Sequence, residues 1–424
     1  MVWWVRDFSA LNLWRIAVNR RAFCFLACPA AHTVACIVAC LGLAVPAAIA
    51  QAPSGLSQTP SRPQDRGAAL MTAFARAGRL KRGINASIWF AQHPSDYSAS
   101  YTDREITKDD IALIAQMGFD NVRLSIDAAP LAQSMMGYGH GSNADFLTRL
   151  DAAVDTILAD GLAVQIDLHP EEDYKQQVKT DNQSVDRLVI LWRKLAAHYA
   201  DRDPERVFYE IMNEPEVSDP YRWAGIQART AAAIREVAPN NTIIATGPNY
   251  SDIADLLTQH PLLDGNVIYN FHFYDPHEFT HQGAGWGAPY WIYEHGIPYP
   301  ATEDTMKELL KEIPDPADRY RLENYWLDHW DAHRIRLLID QAAAWGRANN
   351  VPLICNEFGA YRRVTDPASR NAWIHDVRTA LEADGIGWAM WDFHSGFDVA
   401  PRDNATGKSV PDPATVEALG LKGR

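Results

Sequence analysis

Basic charge is scarce in this chain. Its 424 residues include 39 Lys and Arg against 53 Asp and Glu, which gives a formal net charge of −14. It contains no Lys/Arg-rich run and no phosphate-binding P-loop pattern. Proteins that bind nucleic acids carry concentrated basic patches, so we expect no nucleic-acid partner.

Cysteine is also scarce, and its placement is uneven. Four of the five Cys lie within the first 50 residues, and Cys355 is the remaining one. A disulfide framework is therefore excluded downstream of residue 50, and we expect Cys355 to be a small buried residue. The metal-binding pattern CxxC is absent, and the one HExxH match, His277-Glu278-Phe279-Thr280-His281, lies within a His-rich run. The His-rich run at 272–281 is a weak zinc candidate, so we predict neither metal nor cofactor.

The first 50 residues differ in character from the rest. Arg15, Arg20 and Arg21 precede an apolar run that ends in Ala48-Ile49-Ala50, a pattern typical of a signal-peptidase site. We therefore predict an export signal over 1–50, with a periplasmic or extracellular product. An uncleaved anchor is the alternative, because the run is long enough to span a bilayer. After cleavage we expect no stable membrane partner, because the remaining chain is acidic.

The next 30 residues open with many Pro, Ser, Gln and Ala, and 51–80 is predicted to be a linker. Beyond it, 81–424 alternates between strand-like and helix-like periods. The predicted strands are Arg82–Ala86, Asn121–Ile126, Leu162–Leu168, Arg206–Met212, Thr242–Thr246, Val267–Phe273, Val351–Asn356 and Gly387–Trp391. Helical spacing separates most of them, as in TKDDIALIAQMG, where Thr107 and Asp110 have capping-box spacing and Gly118 ends the pattern.

Strands with so little polar alternation are typical of parallel sheets that are buried on both faces. Eight of them with intervening helices predict an α/β fold, a single (β/α)8 TIM barrel. A doubly wound open sheet is the alternative, but the chain lacks the GxGxxG turn common in that class.

Two glutamates stand where strands of such a barrel end. Glu214 follows strand four in MNEP, and Glu357 follows strand seven in ICNEFG. The C-terminal ends of barrel strands form the active-site mouth, so the two carboxylates should meet there. A converging carboxylate pair is the minimal equipment for glycoside hydrolysis.

Polar and aromatic residues accompany these glutamates at other predicted strand ends. Arg123 could keep one carboxylate charged, whereas His169, His272 and Tyr274 could bond to the pair; for each, the alternative is a satisfied polar group in the core. Flat rings stack on the apolar faces of sugars. The aromatic candidates for substrate contact are Trp89, Trp286 and Trp391; the loop aromatics could instead pack their own loop.

Six motifs occur in order over 81–400: NVRLSI, DLHP, YEIMNEP, HFY, ICNEFG and WAMW. Together they resemble glycoside hydrolase family five, which includes many cellulases. The resemblance implies a metal-independent double displacement with net retention, with Glu214 as acid/base and Glu357 as nucleophile. It further implies that Asn213 bonds the sugar 2-hydroxyl, that a polar ring surrounds the nucleophile, and that an aromatic floor lies below the cleavage point. The ring comprises Arg123, His169, His272 and Tyr274, and the floor is Trp391.

The expected function is that of an endo-acting β-1,4-glucanase whose partner is a polysaccharide or oligosaccharide. Other β-glycans, such as mannan, xyloglucan or β-1,3-glucan, are alternative substrates. A carbohydrate-binding barrel without catalysis is a further alternative. The run EEDYKQQ after His169 and the long connection after strand six do not align with the family motifs. Both segments face the substrate, so the particular glycan stays open.

Overall fold

The computed structural model describes residues 63–93, 97–137 and 144–421. Eight parallel strands close into a barrel in sequential order, with β1 paired to β8. The strands are β1 Arg82–Phe90, β2 Asn121–Ile126, β3 Ala163–Leu168, β4 Val207–Glu210, β5 Thr242–Ala245, β6 Val267–Phe273, β7 Leu353–Phe358 and β8 Gly387–Met390. The predicted (β/α)8 barrel is confirmed.

Helices alternate with the strands and surround them. Along the chain they are α1 Pro63–Ala77, α2 Ala99–Glu105, α3 Lys108–Met117, α4 Ala128–Met136, α5 Phe146–Ala159, α6 Glu172–Thr180, α7 Asn182–Tyr199, α8 Pro220–Val237, α9 Ile253–Thr258, α10 His277–Thr280, α11 Glu303–Glu312, α12 Pro316–Leu327, α13 Ala332–Asn349, α14 Pro367–Ala383 and α15 Pro413–Ala418. The connection between β6 and α13 holds three of these and a short 3₁₀ turn, Trp291–Tyr293.

Local sequence signals explain where one of these helices begins and ends. Helix α3 begins at a capping box in which Thr107 and Asp110 bond each other's backbone N–H. It ends at Gly118, whose φ of 95° is the left-handed conformation that glycine adopts without strain. None of the described helices is both long enough and apolar enough to cross a bilayer.

The linker predicted over 51–80 is wrong for its second half, because residues 63–77 form α1. Ala73 is fully buried, and the Arg76 guanidinium bonds Glu205 at 2.8 Å and the Thr242 hydroxyl at 3.2 Å. The start of the segment is rich in Pro and Ser and predicts a linker. The residues that follow, RGAALMTAFARA, are largely strong helix formers and account for the helix. The predicted export signal over 1–50 lies outside the described residues.

The barrel interior changes from apolar to polar along its axis. At the N-terminal end of the strands, a small cluster with Ala77 of α1 packed against it fills the barrel: Leu80, Ala163, Phe208, Ile244, Ile268 and Ile354. Toward the C-terminal end the interior side chains are polar and fully buried, as with Asn85, Arg123 and Glu210. Charged groups are buried only with partners, so this end is built for chemistry, whereas the other end is built for stability.

Strand β1 extends to Phe90, four residues beyond its predicted end. Its pairing with β2 shifts between Ala86 and Phe90, which indicates a bulge. The sequence predicts that Trp89 follows the strand. In the structure Trp89 lies within the strand.

Candidate active site

Glu357 is the next-to-last residue of β7, and 5% of its side chain is exposed. The Arg123 Nη1 donates to its Oε1. The Tyr274 hydroxyl donates to its Oε2 at 3.0 Å. Burial and the charge of Glu357 raise the pKa of Tyr274 well above its usual value, so the phenol remains a donor. Both oxygens of Glu357 are therefore held in place.

Arg123 is fully buried and contacts five acceptor residues across the barrel, including Glu357 and Asn213. Its guanidinium makes a two-pronged contact with Glu210 at 2.8 and 2.7 Å, and it lies 3.0 Å from Asp167 and 3.0 Å from the Asn85 oxygen. Burial alone lowers the pKa of Arg123, but Asp167, Glu210 and Glu357 raise it well above its usual value. The guanidinium is thus a permanent cation beneath Glu357.

Glu214 is in a different setting, on the turn that follows β4. Its φ of 38° is left-handed, which is rare for a residue other than glycine and indicates local strain. A quarter of its side chain is exposed. The His272 Nδ1 lies 2.9 Å from Glu214 Oε1. Burial alone raises the pKa of Glu214, but the hydrogen bond with His272 and the charges of His272 and Lys175 lower it to about 2.

His272 joins the two glutamates. Its Nδ1 also lies 3.5 Å from Glu357 Oε2. A ring nitrogen of His272 and one carboxylate oxygen of each glutamate all lie within 4.8 Å of one another. Burial alone lowers the pKa of His272, but Glu357 and the hydrogen bond with Glu214 raise it above its usual value. The two glutamates that the sequence predicted to converge do so, and His272 lies between them.

The remaining predicted polar residues form a chain beside Glu357. Burial and Arg123 lower the pKa of His169 to about 3, so its ring is neutral, and its Nδ1 lies 2.9 Å from the acceptor Asp167. The Arg123 Nη2 donates to Asn213 Oδ1 at 2.9 Å, which directs the amide nitrogen toward His169 Nε2 at 3.2 Å. One hydrogen of the Asn213 amide is left for another acceptor.

The three predicted aromatic contacts have different surroundings. Trp391 stacks on the His169 ring, with 5.8 Å between centroids and 22° between planes. Trp286 is 48% exposed and contacts Phe397, which in turn lies 6.3 Å from the Tyr274 ring. Trp89 is 6% exposed and donates its indole N–H to the backbone of Thr102 at 2.9 Å. The structure does not place Trp89 as an open platform beside the carboxylates, and its substrate contact stays a prediction.

Sequence reasoning missed the layer below the two glutamates. Glu210 accepts from the amides of Asn270 at 3.1 Å and Asn356 at 2.7 Å, while Asp167 supports His169. The available signal was Arg123 itself: a buried guanidinium needs carboxylates, and Asp167 and Glu210 lie in neighbouring predicted strands. Cys355 is fully buried, as expected.

The trio of Glu214, His272 and Glu357 is compact enough for a metal ion. In this trio His272 already bonds Glu214, and an oxygen of Glu357 accepts a hydrogen bond from the Arg123 guanidinium. A fixed cation in that position opposes a second one, so the donor set suits protons better than a metal.

A closed barrel that brings two glutamates this close above a buried arginine has the equipment of a glycoside hydrolase. The chain belongs to glycosyl hydrolase family 5, the cellulase family, whose model matches residues 85–396. The sequence motifs had indicated this family, and the match confirms it.

Relatives agree with this assignment. Endoglucanase C of Acetivibrio thermocellus is 31% identical over 320 residues, which cover 74% of this chain and 91% of the relative. A solved hyperthermophilic endo-β-1,4-glucanase in complex with substrate is 27% identical with a TM-score of 0.64, over 82% of this chain and 99% of that one. The Cel5A enzyme of Thermotoga maritima in complex with mannotriose is 26% identical with a TM-score of 0.62, over the same shares. The chain is therefore a cellulase-type glycoside hydrolase.

Proposed function

We propose that this enzyme hydrolyses β-1,4-glucan internally by double displacement, with retention of anomeric configuration. The observation that carries the mechanism is the separation of the two carboxylates. Oxygens of Glu214 and Glu357 lie within 4.8 Å of each other. Retaining enzymes hold the two groups roughly 5–5.5 Å apart, whereas inverting enzymes need about 6.5 Å or more to admit a water between them.

The surroundings favour Glu357 as nucleophile and Glu214 as acid/base. Glu357 is fixed through both oxygens by Arg123 and Tyr274, which orients it toward one point. Glu214 is more exposed and bonds His272, a group that can give or take a proton. An acid/base must exchange its proton with leaving group and water, so access to solvent suits it.

One proton shared by Glu214 and His272 reconciles the lowered pKa of Glu214 with a role as acid. In the free enzyme the proton resides on His272, 2.9 Å from Glu214 Oε1. Its transfer along that bond gives a neutral imidazole and a protonated Glu214 with no change in net charge. The two arrangements belong to one coupled pair, whose titration is a property of both residues.

The reaction then proceeds in two steps. Glu357 attacks the anomeric carbon while Glu214 gives its proton to the departing glycosidic oxygen, which leaves a glycosyl ester on Glu357. Glu214, now ionised, takes a proton from water as the water oxygen attacks the same carbon. The ester breaks, the sugar leaves with its original configuration, and the protonated pair is restored.

The choice of β-1,4-glucan rests on the relatives, several of which are named endoglucanases. Mannan is the second candidate. One structural neighbour, the Thermotoga maritima Cel5A, was solved with cellobiose and with mannotriose. Glucose and mannose differ only in the configuration at C2, and the residues around Glu357 do not by themselves select between them.

Product analysis tests the mechanism and the substrate together. Soluble cellulose derivatives, mannan, xyloglucan and β-1,3-glucan are incubated with the enzyme, and the first-formed anomer is followed by NMR. We expect β-anomers from the cellulose derivative, a rapid fall in its viscosity, and no turnover by Glu357→Ala. Initial α-anomers would contradict double displacement. Turnover of mannan alone would move the substrate to the second candidate, and binding without turnover of any glycan would remove the activity.

Export is a separate proposal that rests on residues 1–50 alone. We expect the enzyme recovered outside the cytoplasm to begin near residue 51, as N-terminal sequencing would show. A protein that keeps residues 1–50 and sediments with membranes would indicate an anchor.

A further inference from the structure

We propose that Lys175 and Glu216 form a positioning pair for the acid/base: a buried ion pair that holds the Glu214 turn and keeps a permanent positive charge near its carboxylate. The inference rests on the proposed role of Glu214. It concerns the EEDYKQQ segment, which the family motifs leave without a function.

Lys175 is unusually well buried for a lysine. It lies on α6 with 7% of its surface exposed, and its Nζ lies 3.0 Å from Glu216 Oε1. Neither Lys179 nor the first residues of the same helix are buried to this degree. A lysine pays heavily for such burial unless it is paired, so its location needs an explanation beyond surface charge.

Glu216 belongs to the same short turn as Glu214. The φ of Glu216 is 57°, so two left-handed residues flank Pro215. The Glu216 backbone N–H donates to Asn249 O at 3.0 Å, and the next N–H bonds Pro248. The pair thus connects a strained turn after β4 to a helix after β3. A strained conformation persists only where surrounding contacts enforce it, and Lys175–Glu216 is one such contact.

The Lys175 ammonium also acts on Glu214 directly. Burial alone lowers the pKa of Lys175, but Glu214 and then Glu216 raise it above its usual value. Glu214 in turn has its pKa lowered by His272 and by Lys175. The other titratable or charged groups around these residues are Arg123, Asp167, His169, Glu172, Tyr250, Tyr274, His281 and Glu357. Among these, Arg123 is the other permanent cation, and it is bonded to Glu357 and not to Glu214.

The charge affects the two half-reactions in opposite ways. Glu214 must hold a proton to assist the leaving group, and it must lose that proton to activate water. A nearby cation favours the ionised form, so it helps the second step and narrows the pH range of the first. The pair therefore sets the balance between the steps.

The test compares Lys175→Met with wild type on aryl β-cellobiosides that have a poor leaving group (phenyl) or a good one (2,4-dinitrophenyl). Without the charge, Glu214 keeps its proton to higher pH. For the phenyl substrate we expect the alkaline limb of kcat/KM to move up by about one pH unit. For the dinitrophenyl substrate, whose second step limits kcat, we expect the acid limb of kcat to move up in parallel and kcat at low pH to fall about tenfold.

Three variants separate charge from packing. Lys175→Arg keeps the charge and should keep both limbs near wild type. Glu216→Gln removes a negative charge from the turn and should move the limbs to lower pH, opposite to Lys175→Met. Lys179→Met removes a lysine from the same helix at a half-buried position and should change neither limb. Circular dichroism and melting curves establish that each variant is folded.

Limbs that coincide in Lys175→Met and wild type would overturn the proposal, whether or not the rates fall. Glu214→Ala with azide distinguishes this failure from failure of the proposed function. If azide restores turnover of the dinitrophenyl substrate, Glu214 is the acid/base, and unmoved limbs then count against Lys175 alone. If azide restores nothing, the role of Glu214 itself is wrong.

Discussion

The two glutamates of this site are held in contrasting ways. Glu357 lies within a strand, is 5% exposed and bonds a buried arginine that is itself fixed by Asp167 and Glu210. Glu214 lies on a left-handed turn, is 25% exposed and relies on His272. We call Glu357 and the Arg123 that holds it the rigid side of the site. Its fixed geometry suits a group that must attack along one direction. We call Glu214 and His272 the adjustable side. Its greater exposure suits a group that must change protonation twice in each turnover.

The contrast also shows how one barrel can give two carboxylates different chemistry. A permanent cation touches Glu357, whereas the nearest partner of Glu214 is a histidine that can lose its charge. Environment, and not residue type, therefore separates the roles proposed for the two glutamates. Substitutions on either side should affect different steps, and their effects can be ranked.

The largest effect is expected at Glu357, the proposed nucleophile. Glu357→Ala removes the group proposed to form the covalent intermediate, so activity should fall by roughly 10⁵-fold or more. The loss should be equally severe for aryl cellobiosides with good and with poor leaving groups, because neither can react without the nucleophile. Steady-state rates on both substrates measure this, and a loss confined to one of them would contradict the role of Glu357.

Glu214→Gln should instead produce a loss that depends on the leaving group. With the phenyl substrate, kcat/KM should fall by about 10²–10⁴, since that oxygen needs a proton to depart. With the dinitrophenyl substrate, kcat/KM should stay near wild type. Its kcat should fall, and a burst of 2,4-dinitrophenol should appear, because water is no longer activated in the second step. Equal losses in kcat/KM for both substrates would remove the distinction between the two carboxylates.

The base of the rigid side is tested by Arg123→Lys. Lysine keeps the charge but cannot contact Glu210 with two nitrogens while reaching Glu357 and Asn213, so kcat should fall by about 10²-fold. Arg123→Met leaves three buried carboxylates without their cation and should lower the free energy of unfolding by about 3–5 kcal/mol. Denaturant curves and kcat measure the two effects, and near-normal kcat in Arg123→Lys would show that charge alone is sufficient.

The pattern of what could be predicted from the sequence follows the same contrast. Glu214 and Glu357 were predictable because strands four and seven end at the same mouth wherever a barrel closes. The layer of Asn85, Asp167 and Glu210 beneath them was predictable only in part. Arg123 indicates that buried carboxylates lie near it, but which residues it contacts depends on strand register. Arg123 pairs in register with Asn85 on β1 and with Gln165 on β3, which no single-strand pattern specifies.

Two further misses have local causes. Helix α1 is difficult to predict because segment 51–80 opens with many Pro and Ser, which are typical of a linker. The later residues of the segment favour a helix. The sequence does not indicate that Lys175 is buried, because a lysine among polar neighbours is normally exposed. Its burial depends on where α6 lies relative to the turn after β4, and that is tertiary information.

The smallest of the ranked effects is expected from Tyr274→Phe. The change removes one hydroxyl, which donates to Glu357 Oε2 at 3.0 Å, and leaves the ring in place. A hydrogen bond to a charged acceptor contributes about 1.5 kcal/mol, so kcat should fall by about tenfold. Because the Arg123 contact holds the other oxygen, Glu357 should remain competent but less well oriented. Single-turnover rates of the first step should show the loss with both leaving groups. A loss confined to the second step would place Tyr274 with Glu214 instead, and would mean that the rigid side extends no further than the arginine.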